Sequence, residues 1–158
     1  MATEVEEELK PRSKGTVTLR SSDPKDKPII DPRYLTDDAG EDRAALMSGL
    51  RMCAAIAQSP VLRGLIGKIA RPRGATGLDD ETFERALNSL SHTLYHPVGT
   101  CRMGRDDTSV VDPQLRVRGV DGLRVADASV MPTIIRGHTH APSVLIGEQA
   151  AEEIRSAR

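Results

Sequence analysis

The chain has 158 residues, a length that suits one modest domain or a piece of a larger protein. Its 22 Lys and Arg against 23 Asp and Glu leave a net charge of −1, which offers no long-range attraction to nucleic acid or an anionic membrane surface. One Phe, two Tyr and no Trp leave the core to Leu, Ile, Val, Met and Ala, and two distant cysteines, Cys53 and Cys101, exclude a disulfide framework and a thiolate metal site.

Residues 1–10 are acidic where a signal peptide would be basic and then apolar. No apolar run approaches the ~20 residues of a membrane span. A cytoplasmic protein without a membrane span is therefore expected, and residues 1–13, poor in apolar side chains, are expected as a disordered tail. In residues 15–20, Val17 and Leu19 alternate with Thr16, Thr18 and Arg20, the period of a strand with one buried face. Polar residues 21–27 read as a turn, and the apolar run between Pro28 and Pro32 reads as an edge or isolated extended piece.

From about residue 41 to 58, Leu46, Leu50, Cys53 and Ala57 recur at four- and three-residue steps and predict an amphipathic helix. Residues 71–77, with a Pro, two Gly and two Arg, read as a loop. A second helix is expected to start at Asp79 as N-cap, with Asp80 and Glu81 in its first turn, Leu78 stapled onto Phe83, and Phe83, Leu87 and Leu90 buried. Beyond Thr100 the pairs Val110-Val111, Leu115/Val117 and Leu123/Val125 suggest strands separated by Gly119 and Asp121-Gly122. A last helix is expected from about Pro142 to Arg155, with proline in its first turn.

All four histidines fall between His92 and His140. Three segments carry them or surround them: Tyr95-His-Pro-Val-Gly-Thr-Cys-Arg-Met-Gly104, Gly122-Leu-Arg-Val-Ala-Asp-Ala-Ser-Val-Met-Pro132 and Gly137-His-Thr-His-Ala-Pro142. Together these resemble the closing third of a glucose–methanol–choline (GMC) flavin oxidoreductase, most like its choline and alcohol dehydrogenase branch. The resemblance spans roughly residues 14–154. It implies an α+β fold: residues 14–112 from the antiparallel-sheet-plus-helices substrate domain, and residues 113–158 closing the FAD-binding domain.

By the same resemblance the activity is oxidation of an alcohol CH–OH group, with hydride passing to flavin N5 and FAD as cofactor. The resemblance makes His96 the base and places His140 at the substrate oxygen, where many choline-like members carry Asn. A neutral imidazole suits removal of a hydroxyl proton near neutral pH. The resemblance further implies that the backbone around Asp127 and Ala128 meets the ribityl and pyrophosphate region. Ala141 and Pro142 stand at a helix start whose positive end favours the charge of reduced flavin. No GxGxxG follows a strand, so the pyrophosphate-binding βαβ unit is not in this sequence. The implied partners are an alcohol substrate and an N-terminal FAD-binding domain or a chain supplying it. The chain alone is expected to be inactive, with apolar edges left uncovered.

Two other readings compete. His92 and His96 at i, i+4, with His138-x-His140, could serve a metal-binding enzyme or module, although Pro97 pushes His96 away from helical angles and no metal ligand is assigned. The chain could also be a non-catalytic truncated remnant or partner subunit.

Overall fold

The structure, a computed structural model, describes residues 10–157. Contacts divide the chain into two compact units, one made by residues up to Gly15 with Pro32–Leu94 and one by Thr16–Asp31 with the chain from Tyr95 onward.

The first unit is a pair of helices, α1 (Glu41–Ala57) and α2 (Asp80–Leu90). Both lie where the apolar spacing put them. Asp79 caps α2 as expected, its carboxylate accepting the Thr82 N–H at 2.9 Å. The core holds Met47 and Ala54 of α1 against Phe83 and Leu87 of α2, with Leu35, Leu46 and Leu50 packed at its margin. The buried stripe of α1 is thus centred one residue beyond the expected one, and Leu90, expected inside, is 38% exposed. Ion pairs Arg43–Glu84 and Arg51–Asp80 bridge the helices, the second bidentate at 2.9 and 2.8 Å.

The acidic stretch expected as a disordered tail lies, for residues 1–9, outside the described residues. Residues 12 and 13 are tied down: their backbone N–H groups donate to the two carboxylate oxygens of Asp42 at 2.7 and 2.8 Å. Asp42 is 1% exposed. Burial raises the pKa of its carboxyl, but the Ser13 hydroxyl and the Arg12 and Ser13 N–H groups outweigh that and hold it below the usual carboxylate range.

In the second unit, β1 (Thr16–Thr18) and β2 (Ile29–Asp31) pair antiparallel, with Val17 opposite Ile30. The expected buried face of β1 is not formed: every residue of the ribbon is exposed, because no layer of this unit covers it. The expected strands beyond Thr100 also shrink, to single bridges Met103–Val111, Val111–Val117 and Arg116–Arg124. Turns interrupt them too often for a ladder. The core here is Val111, Leu115, Val130 and Ala150, with Cys101, Met103, Val117, Val125 and Ile146 around it. Ala150 belongs to α3 (His140–Ser156), and Val130 closes a 3-10 turn at Ala128–Val130. Helix α3 begins two residues earlier than expected, with His140 and Ala141 ahead of Pro142 in its first turn.

Apolar edges stay uncovered, as expected: Leu19, Leu65 and Val61 are 85%, 82% and 79% exposed. No helix among the described residues is long and apolar enough to cross a membrane.

Candidate active site

Three segments of the second unit build the site around His96. The loop carrying it is fixed at both ends of a short arc. Tyr95 enters with φ 66° and Gly99 turns with φ 87°, a left-handed angle that costs little only for glycine. Beyond the turn, Cys101 N–H donates to Ser129 O at 3.0 Å and Met103 N–H to Val130 O at 2.9 Å, which stitches the loop to the 3-10 turn above the buried Val130. Arg102 then clamps the following bend: its guanidinium grips both oxygens of Asp106 at 3.0 and 2.8 Å and reaches the Thr108 hydroxyl at 2.6 Å. The hydrogen bonds from Arg102 and Thr108 hold the Asp106 carboxyl far below its usual range.

The imidazole of His96 is half-buried and engaged at both nitrogens. Nδ1 lies 2.9 Å from the Thr139 hydroxyl and Nε2 lies 2.9 Å from His138 Nδ1. The two rings meet edge to face, centroids 5.0 Å apart at 74°. Thr139 is buried and precedes α3, yet its hydroxyl does not cap the helix. Instead its carbonyl receives the Ser143 N–H at 3.0 Å and the Ser143 hydroxyl at 2.7 Å, so α3 starts on backbone and Ser143, and the Thr139 hydroxyl is spent on His96.

His140 opens α3 and is exposed, and no hydrogen bond joins it to His96. The nearer imidazole is His138, which sequence reasoning passed over: an ordinary surface residue and a ring partner look alike until the chain from 96 to 138 is folded. Thr139 was missed for the same reason. Nothing in the sequence singles it out, and only the fold shows it facing an imidazole.

Asp127 is exposed and caps the 3-10 turn, its carboxylate accepting Ser129 N–H at 2.8 Å, while Ala128 begins that turn half-buried. Ala141 is exposed and Pro142 half-buried in the first turn of α3. With no side chain capping α3, the positive end of that helix stays open, and Pro142 has no N–H to leave unpaired.

His92 follows the end of α2, its Nδ1 2.8 Å from Thr93 O, so it shares no helix face with His96. The spacing argument for a metal site therefore has no helix under it. Among the described residues, no group of three His, Cys, Asp or Glu side chains is spaced to hold a metal ion.

A family model described as GMC oxidoreductase matches residues 11–147. The chain belongs to the GMC oxidoreductase family. It is 70% identical over 146 residues to an uncharacterized GMC-type oxidoreductase of Mycobacterium tuberculosis, covering 92% of this chain and 28% of that protein. It is 46% identical over 149 residues to choline oxidase of Arthrobacter globiformis, covering 93% of this chain and 27% of that enzyme. Among solved structures, a formate oxidase from Aspergillus oryzae, studied for its FAD modification, superposes with a TM-score of 0.81 at 32% identity, covering 94% of this chain and 26% of that one. The chain thus spans little more than a quarter of its GMC relatives and corresponds to their C-terminal part. The α+β expectation, a small antiparallel sheet with helices, holds.

Proposed function

We propose that this chain forms the base-bearing side of the active site in an FAD-dependent oxidoreductase that oxidises the CH–OH group of a choline-type or alkanol-type alcohol. The observation that carries the reading is the fixing of His96 at both ring nitrogens, in a loop stitched to the segment that leads to Asp127 and α3. An imidazole so held has one orientation, which general-base catalysis needs before pKa matters.

FAD, when bound, supplies the hydride acceptor at its N5. His96 takes up the proton of the alcohol hydroxyl, and His140, at the exposed start of α3, positions the substrate oxygen. The first turn of α3, at Ala141 and Pro142 and without a side-chain cap, would hold the ring edge where reduced flavin gathers charge. The backbone at Asp127 and Ala128 would hold the ribityl and pyrophosphate part. The alcohol itself and an N-terminal FAD-binding part, on the same chain or another, complete the enzyme.

The test is anaerobic mixing of the assembled protein, this chain together with the flavin-binding part, with choline and a series of primary alkanols. Bleaching of the flavin absorbance by at least one of them is expected. An FAD-loaded protein that no alcohol bleaches would refute the reading. The competing metal reading finds no specific observation in its favour; the remnant or partner-subunit reading is compatible with a span of little more than a quarter of the relatives' length.

A further inference from the structure

The net charge of −1 over the whole chain hides a local excess of the opposite sign. From Ser59 to Leu78 there is no Asp or Glu, while Arg63, Lys68, Arg71 and Arg73 carry four positive charges. All four are exposed, and none forms an ion pair among the described residues. Acids that follow in the chain are already engaged: Asp79 accepts the Thr82 N–H, Asp80 holds Arg51 and Glu84 holds Arg43.

The same stretch carries uncovered apolar side chains. Residues 59–66 wind into a turn, with the Leu62 and Arg63 N–H groups donating to Ser59 O at 3.1 and 3.0 Å and the Ile66 N–H to Leu62 O at 3.1 Å. Pro60 suits the start of such a turn, where its missing N–H has no partner to lose. At ~100° per residue, Val61, Leu65, Leu62 and Ile66 fill one arc of ~140° and Arg63 stands outside it, so the turn has an apolar and a basic side. The apolar side is not spent on the core of its own unit, which is Met47, Ala54, Phe83 and Leu87. Val61 and Leu65 stand almost free in water, and Ile66 is 49% exposed.

We propose that residues 59–73 are a docking surface for a bilayer of anionic lipid. A nucleic acid would answer the four cations and leave Val61 and Leu65 in water. An apolar groove on a protein would bury those side chains and leave the cations without counter-charge. The surface of an anionic bilayer answers both at one depth: the acyl boundary takes the apolar side of the turn, and the headgroup phosphates take Arg63, Lys68, Arg71 and Arg73. None of these residues belongs to the site around His96, so the proposal stands or falls apart from the alcohol-oxidation reading.

The test is co-sedimentation of the assembled protein, this chain together with the flavin-binding part, with vesicles of mixed phosphatidylglycerol and phosphatidylcholine and with vesicles of phosphatidylcholine alone. Binding to the anionic vesicles is expected to be at least ~10-fold tighter and to weaken as salt rises. Arg63→Gln with Lys68→Gln should lower it ~25-fold, about fivefold for each cation near the surface. Lys25→Gln with Lys27→Gln removes the same charge elsewhere and should stay within ~2-fold of wild type. Val61→Ser with Leu65→Ser should lower binding ~10-fold or more, with an unchanged circular dichroism spectrum because both positions are exposed. A folded, flavin-loaded protein that ignores anionic vesicles would overturn the proposal and show that another part of the enzyme covers the segment. Equal losses from the Lys25/Lys27 and Arg63/Lys68 pairs would overturn it by showing that net charge alone is read. Binding that survives Val61→Ser with Leu65→Ser and is matched by a duplex DNA would overturn it in favour of a polyanion site.

Discussion

Replacing Thr139 by Val removes one hydroxyl and almost nothing else, which makes it the most informative single change at the site. Valine keeps the branched shape in a position only 6% exposed. The start of α3 is indifferent to it, since the bonds to Ser143 come from the Thr139 carbonyl. What is lost is the partner of His96 Nδ1 at 2.9 Å. A net hydrogen bond of ~0.5–1.5 kcal/mol corresponds to roughly a 2- to 12-fold effect. Releasing the ring among staggered rotamers lowers the productive fraction by up to about threefold more. Together these give a fall of about 2- to 40-fold in the rate of flavin reduction by alcohol in the assembled protein, followed by anaerobic stopped flow, with flavin content unchanged. Thr139→Ser, which restores the hydroxyl, should stay within ~3-fold of wild type, a difference of about 0.7 kcal/mol. A Val variant as fast as wild type would show that the Thr139 contact does not orient the base.

Other outcomes follow from the packing and charge of the two units. Asp42→Asn keeps the shape but sets an amide N–H against one of the two backbone donors, so urea unfolding of the chain should show a loss of about 2 kcal/mol at neutral pH. Because the folded carboxyl titrates below its unfolded value of ~3.9, the advantage of wild type is full above that pH and disappears as pH falls through the lower folded value. Equal stability of the two proteins at pH 7 would contradict the contact. Val111→Ala, at a site with no exposure, should cost about 2–3 kcal/mol in the same assay, two methyl groups plus the space they leave. Gly99→Ala meets no steric barrier, since its Cβ would lie 3.6 Å from Met131 O, but it forces a side chain to φ 87°. About 1–2 kcal/mol of stability should be lost, with slower flavin reduction because the strain sits three residues from His96.

What the sequence made legible was local. The spacing of Leu46, Leu50 and Cys53 placed α1, Asp79 as N-cap placed the start of α2, and Pro142 as a first-turn residue placed α3 to within two residues. The motif around His96 led to the family without any structure. What stayed hidden depended on partners distant in the chain. Nothing in the sequence sets Asp42 apart, and its role needs N–H groups 29 and 30 residues earlier. The alternation in residues 15–20 promised a buried face, but Val17 remains 49% exposed because a period of two says which side chains share a face and not whether anything covers it. The pairing of His96 with His138, where the motif pointed to His140, is of the same kind, since it joins rings 42 residues apart in the chain.

The measurement that tests the central claim most directly is anaerobic flavin reduction by an alcohol in the assembled protein with His96 replaced by Ala, read together with flavin content. Loss of the base should slow reduction by ~100-fold or more while the flavin stays bound. A His96→Ala protein that keeps its flavin and reduces it at close to the wild-type rate would contradict the assignment of His96 and the account built on it.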